Sequence, residues 1–213
     1  MFQMFVHKLP ERLLAVFRGK NLFYHIAAVV LTYTLVVSGF DWYFFEVTRS
    51  SYFYALIMTA GIGGFFVPVL VPVGMFVAGK LKNDIQLATH GVMSAQAVAI
   101  AWFVSSFYKA LTGRIQPEFL AQSSTVDISR DFNFGFLEHG IFWGWPSSHT
   151  AVALALAAAL LVHYGNNKFT RYSALLYAII VASGAAIGFH WFSDVVAGVI
   201  IGTLVGVVVA RGR

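Results

Sequence analysis

The sequence predicts an all-α integral membrane protein, with six transmembrane helices preceded by an amphipathic helix. Two observations carry that expectation. Of the 213 residues, 59% are hydrophobic and only 11% are charged, against about 25% charged in an ordinary soluble domain. The charges are also segregated. Asn21–Phe40, Ser50–Gly79, Ile85–Tyr108, His139–Asn167, Tyr172–Ser193 and Val195–Ala210 hold no Asp, Glu, Lys or Arg. A helix needs about 20 apolar residues to cross a hydrocarbon core about 30 Å thick. Helices are the expected spanning form, because unpaired backbone groups are costly in lipid. A soluble bundle is the alternative, but too few polar residues remain to coat its outer faces.

Ahead of the first window, Phe2, Phe5, Val6, Leu9, Leu13, Leu14 and Phe17 recur at roughly helical spacing among Lys8, Arg12 and Arg18. This predicts an amphipathic segment over residues 1–20, lying on the inner membrane surface. It has no small-residue cleavage site after an apolar core, so a cleaved signal peptide is not expected. The first five windows are long enough to span. The last, of 16 residues, reaches length only by taking in Trp191–Asp194 or by ending in snorkelling Arg211 and Arg213. Connections at Lys80–Asp84, at Gly165–Arg171 and between the first two spans read as short. Residues 109–145 form one long connection, aromatic enough to pack as a structured lid. With no internal repeat, residues 1–213 read as a single membrane domain.

With the N-terminus inside, Lys8, Arg12, Arg18, Lys20, Lys80, Lys82, Lys168, Arg171, Arg211 and Arg213 fall on one side. Arg49, Lys109, Arg114 and Arg130 fall on the other. The positive-inside rule then places both termini inside. The net charge of +5 reflects topology and anionic headgroups rather than nucleic acid. Membrane lipids are the expected surroundings, a bacterial plasma membrane the expected location, and oligomeric state is left open. The absence of cysteine excludes disulfides and thiolate metal sites. Asp127, Asp131, Glu138 and His139 fit no metal motif, so neither metal nor cofactor is expected. Asp41 reads as interfacial, and His25 and His90 as packing residues.

Three polar clusters fall on the outer side. His190 and Asp194 lie four apart, on one helical face. A carboxylate bonded to one imidazole nitrogen fixes the tautomer and makes the other nitrogen a better nucleophile or base. Pro146, Ser147, Ser148 and His149 open the fourth span, where free backbone N–H groups attract anions and a histidine can act as general acid. Lys109, Gly113 and Arg114 place two cations at the end of the third span, suited to a phosphate. Alone, each cluster also reads as a helix cap or as helix-end snorkelling. Together they describe phosphoryl transfer through a phosphohistidine.

These segments resemble the type 2 phosphatidic acid phosphatase (PAP2) superfamily, whose signatures are K-x6-R-P, P-S-G-H and S-R-x5-H-x3-D. The chain has Lys109-x6-Gln116-Pro117, then Pro146-Ser147-Ser148-His149, then Ser183-Gly184-x5-His190-x3-Asp194. The resemblance implies His190 as nucleophile, Asp194 as its orienting partner and His149 as general acid. Lys109 would bind phosphate, aided by the Ser147–Ser148 backbone and a serine hydroxyl. Both signature arginines are replaced, by Gln116 and Gly184. Arg114, on the same side as Gln116 in an extended segment, is the expected substitute for the first; Arg130 or His139 would supply the second. Gly184 is expected to leave empty volume. The implied activity is hydrolysis of a lipid-linked phosphate monoester or diphosphate. The alternatives are a lipid phosphotransferase using the same intermediate, and a lipid-binding or transport protein without catalysis.

Overall fold

The computed structural model describes residues 2–117 and 126–212. Met1, the middle of the long connection, 118–125, and Arg213 lie outside the described residues. Two short helices, α1 (Phe2–Val6) and α2 (Leu9–Val16), precede α3 (Leu22–Val37) and α4 (Phe40–Thr48). Then come the long α5 (Tyr54–Leu81) and α6 (Ile85–Thr112), followed by α7 (Ser148–Tyr164), α8 (Lys168–Gly188) and α9 (Phe192–Ala210). Among the described residues there is no strand, and one isolated bridge joins Arg114 to Phe132.

Five stretches are long and apolar enough to cross a membrane: Gly19–Val37, Tyr54–Leu81, Ile85–Thr112, Lys168–Gly188 and Phe192–Ala210. The short helix is not the one the sequence suggests. The last window gains length upstream, and α9 runs for 19 residues. The fourth window loses it, and α7 has only 17. The reason is the cap. Ser147 is extended, and its hydroxyl accepts the Thr150 N–H at 3.3 Å, so the helix starts there and the residues before it join the loop. Asp84 and Asn167 open α6 and α8 in the same way. Gly113, left-handed at φ 49°, closes α6.

Two further expectations are corrected. The connection after the first span is not a bare short loop, because it contains α4. The N-terminal segment does not simply lie on a membrane surface. Val16 is buried, and Leu9 and Leu13 pack against the main core. Buried Gln96 of α6 donates to the carbonyls of Phe5 and His7 and accepts from Arg12. The segment is therefore clasped to the end of the bundle where α6 begins.

The core centres on α7 and α9. Gly198, Gly202 and Gly206 lie one turn apart on α9 and meet the α7 backbone. A Cβ at Gly198 would come within 2.8 Å of the Ser147 carbonyl, and Cβ atoms at Gly202 and Gly206 would strike the carbonyls of Ala151 and Ala155. Such small-residue rows let membrane helices approach closely. Asp194, one turn before this row, is thereby placed beside the start of α7, and the Ser147 N–H donates to the Asp194 carbonyl at 3.0 Å.

Candidate active site

Lys109 from the last turn of α6, Gln116 from the segment after it, Ser148 and His149 from the first turn of α7, and His190 from the α8–α9 link line one cavity of about 820 Å³. Its other walls are mainly apolar: Gly61, Gly64 and Phe65 of α5, Val98 and Trp102 of α6, and Phe142 and Trp143 of the long connection. From Lys109 down to Val98 the α6 wall is about 16 Å long, at 1.5 Å per residue. Phe65, Trp102, Phe142 and Trp143 are exposed on the outer surface of the bundle. The cavity thus has a polar head and an apolar length open to the side.

His190 is buried. Its Nδ1 lies 3.3 Å from Asp194 Oδ2 and 3.2 Å from the Gln116 amide nitrogen. With the carboxylate as acceptor, Nδ1 carries the proton, and Nε2 keeps a free lone pair. Burial, and next the nearby Lys109 ammonium, hold the His190 pKa down at about 4. The ring is therefore uncharged at neutral pH.

Lys109 is buried, and its ammonium donates to the Gly144 carbonyl at 2.9 Å and the Phe142 carbonyl at 3.5 Å. Of its three N–H groups, one remains for a ligand. Ser148 shares a hydroxyl hydrogen bond of 2.9 Å with Ser105 of α6. The His149 ring stacks on Phe189 at 5.7 Å between centroids. Its side chain lies against Gly64, where a Cβ would come within 3.1 Å of the imidazole.

Four sequence expectations change. Arg114 does not face the cavity. It is wholly buried, donating through Nε and Nη2 to the Ser129 carbonyl at 3.2 and 2.6 Å, through Nη1 to Ser193 and Asp194, and through Nη2 to Asp41. No donor is spare to replace a phosphate-binding arginine. Arg130 is 58% exposed and 3.9 Å from Asp127, and neither it nor His139 reaches the cavity wall. Ser147 is occupied as a cap, bonding only Thr150 through its side chain. Finally, Gly184 leaves no empty volume. A Cβ there would strike the Ala60 side chain and come within 2.8 Å of the Leu56 carbonyl, because α8 packs directly on α5.

Asp41 is the residue the sequence reading misplaced. It is fully buried, bonded to Arg114, to the Ser193 N–H at 2.8 Å and to the Ser193 hydroxyl at 2.5 Å. The available signal was a carboxylate at the edge of an apolar span. Buried charge requires a partner, and Arg114 lies on the same side of the chain's topology. Trp145, at the end of the long connection, is buried and donates to Thr32 at 2.7 Å.

A family model for the PAP2 superfamily matches residues 91–213. The chain belongs to the PAP2 superfamily. No curated protein and no solved structure matches it. The PAP2 match begins inside α6 and takes in α7, α8 and α9, so Lys109, Gln116, Ser148, His149, His190 and Asp194 all lie within it. PAP2 membership brings phosphatase-type chemistry and a membrane setting. Within the matched region the Gln116 amide meets His190, and Gly184 lets two helices touch.

Proposed function

We propose that the protein is an integral membrane enzyme that hydrolyses a lipid-linked phosphate ester through a phosphohistidine. The observation that carries this reading is the convergence of three sequence-distant elements on one cavity: His190 held by Asp194, His149 at the start of α7, and Lys109. In this reading α7 completes a six-span bundle as a short helix packed inside it. Both termini are inside, and the site opens at the outer leaflet of a bacterial plasma membrane. Exposed Phe142 and Trp143 lie at the headgroup level. The lateral apolar length of the cavity takes lipid chains while the headgroup meets Lys109.

The chemistry follows from the side chains. Nε2 of His190 attacks phosphorus, the P–N bond forms, and the P–O bond to the leaving oxygen breaks. His149 gives that oxygen its proton. His149 then takes a proton from water as the water oxygen attacks phosphorus, breaking the P–N bond and restoring His190. Asp194 stabilises positive charge on the ring in both steps. Lys109 and the first N–H groups of α7 face the phosphoryl oxygens, where such fixed charges lower the barrier most.

The test is release of the lipid alcohol by purified protein in detergent, across a panel of lipid phosphate esters, beside His190→Ala. Release that disappears in the variant supports the reading. No release by the wild-type protein from any lipid would refute it and favour a binding protein.

A further inference from the structure

We infer that this site takes a phosphate group bearing a single negative charge, a lipid phosphodiester, in preference to a monoester or a diphosphate. The inference rests on the hydrolytic reading above and narrows its substrate class.

Its basis is the number of cations that can reach the cavity. Four lysine and arginine side chains belong to this end of the bundle. Arg49 pairs with Glu46 at the surface, at 3.1 Å. Arg130 is exposed beside Asp127. Arg114 has every donor direction filled by protein. Only Lys109 lines the cavity, and two backbone carbonyls already take part of its donor capacity. The stretch 118–125 contains no Lys, Arg or His, so it cannot supply another. Gly184 cannot be bypassed by a neighbouring long side chain, because the α5 backbone fills that space.

The buried charges of the site are already balanced. Lys109 and Arg114 offset Asp41 and Asp194, all four almost fully removed from solvent. Protonated His149, required as the acid, adds one positive charge. A bound phosphodiester carries one negative charge, and the occupied site is then neutral. A phosphate monoester carries about −1.5 to −2 at pH 7, and a diphosphate carries more. Either would leave net negative charge buried without a partner, which is strongly unfavourable. Gln116 lines the cavity, with its amide 3.2 Å from His190 Nδ1, and adds no charge to it. A neutral amide suits an anion of low charge and binds a dianion far less well than a bidentate arginine.

The step balances as before, with one ester retained. Attack by Nε2 releases the lipid alcohol, protonated by His149, and leaves the remaining phosphate ester on His190. Water then releases it as a phosphomonoester, not as inorganic phosphate.

The experiment compares dioctanoylglycerol phosphate with its methyl phosphodiester in detergent, measuring dioctanoylglycerol from each. The expected kcat/KM is at least tenfold higher for the diester at pH 7.5. That ratio should fall about tenfold at pH 5, because the monoester takes up a proton near pH 6 while the diester does not. Changes in His149 or His190 affect both substrates and cancel in the ratio. Gln116→Arg should lower the ratio at least tenfold at pH 7.5. Turnover of both lipids by the wild-type protein, with the monoester equal or faster and a ratio flat with pH, overturns the inference and leaves the hydrolytic reading intact. Turnover of neither overturns both.

Discussion

Arg114 and Asp41, 73 positions apart, form an ion pair of 2.6 Å with both side chains fully removed from solvent. The same guanidinium holds Asp194, so a residue of α4 acts on His190 through two intermediaries. Removing one partner of a buried pair leaves an unpaired charge, at a cost of about 3–5 kcal/mol. Asp41→Ala should therefore lower thermal stability in detergent markedly and reduce kcat with little change in KM. Arg114→Lys should not rescue, because an ammonium cannot span Asp41, Asp194 and Ser129 at once. Stability unchanged in Asp41→Ala would contradict this account.

His190→Ala and Asp194→Asn differ in kind. The first removes the nucleophile, and no acid-labile phosphoenzyme should be trapped. The second keeps the shape but loses the acceptor that fixes the Nδ1 proton, a change that costs about 10⁴ in kcat in comparable His–Asp pairs. Vanadate should inhibit the wild-type protein, and a native-like affinity for vanadate in His190→Ala would count against a covalent role for that residue.

The pH dependence has a definite sign. Burial and Lys109 lower the His190 pKa to about 4 from its ordinary 6.5 or so. Between those values the unfolded chain binds more protons than the folded one, so stability rises with pH there. The contribution of His190 is fully present above about pH 6.5 and is lost as pH falls through 4. The uncharged nucleophile likewise persists down to about pH 4. A kcat/KM profile should show the acid limb of the nucleophile there, and a limb near 6.5 assigned to His190 by mutation would refute it.

Gly184→Arg introduces the arginine that the sequence resemblance implies at this position, but should not bring a cation to the site. Leu56 and Ala60 occupy the space, and overpacking costs about 1–3 kcal/mol. Lower melting temperature without improved phosphate affinity is the expected result. Gly184→Ala should already show part of the loss.

Much of this was legible in the sequence, and the failures share a cause. Charge-free windows located the apolar helices because lipid solvation acts residue by residue. Capping chemistry located the start of α7, since Pro146 to His149 read as a helix start and Ser147 is its cap. That His149, His190, Asp194 and Lys109 come together was legible because their spacings are local and their end of the bundle follows from topology. Arg114, Asp41 and Gly184 were misread because their roles depend on what faces them across the bundle. A guanidinium two residues from a signature position can point into a cavity or away from it. A glycine can leave a hole or let a helix close it. Spacing does not separate those outcomes.

The glycine row of α9 makes one side of the enzyme a fixed jaw. Where two helices meet backbone to backbone, no side chain stands between them to be lengthened or trimmed. The separation of His149 and His190 is then set by main-chain geometry and is closed to gradual adjustment. Adaptation to a differently shaped lipid has to occur on the opposite jaw, along α5 and at Phe142 and Trp143, where side chains still face open space. Variants selected for new lipids should accumulate there and leave Gly198, Gly202 and Gly206 untouched.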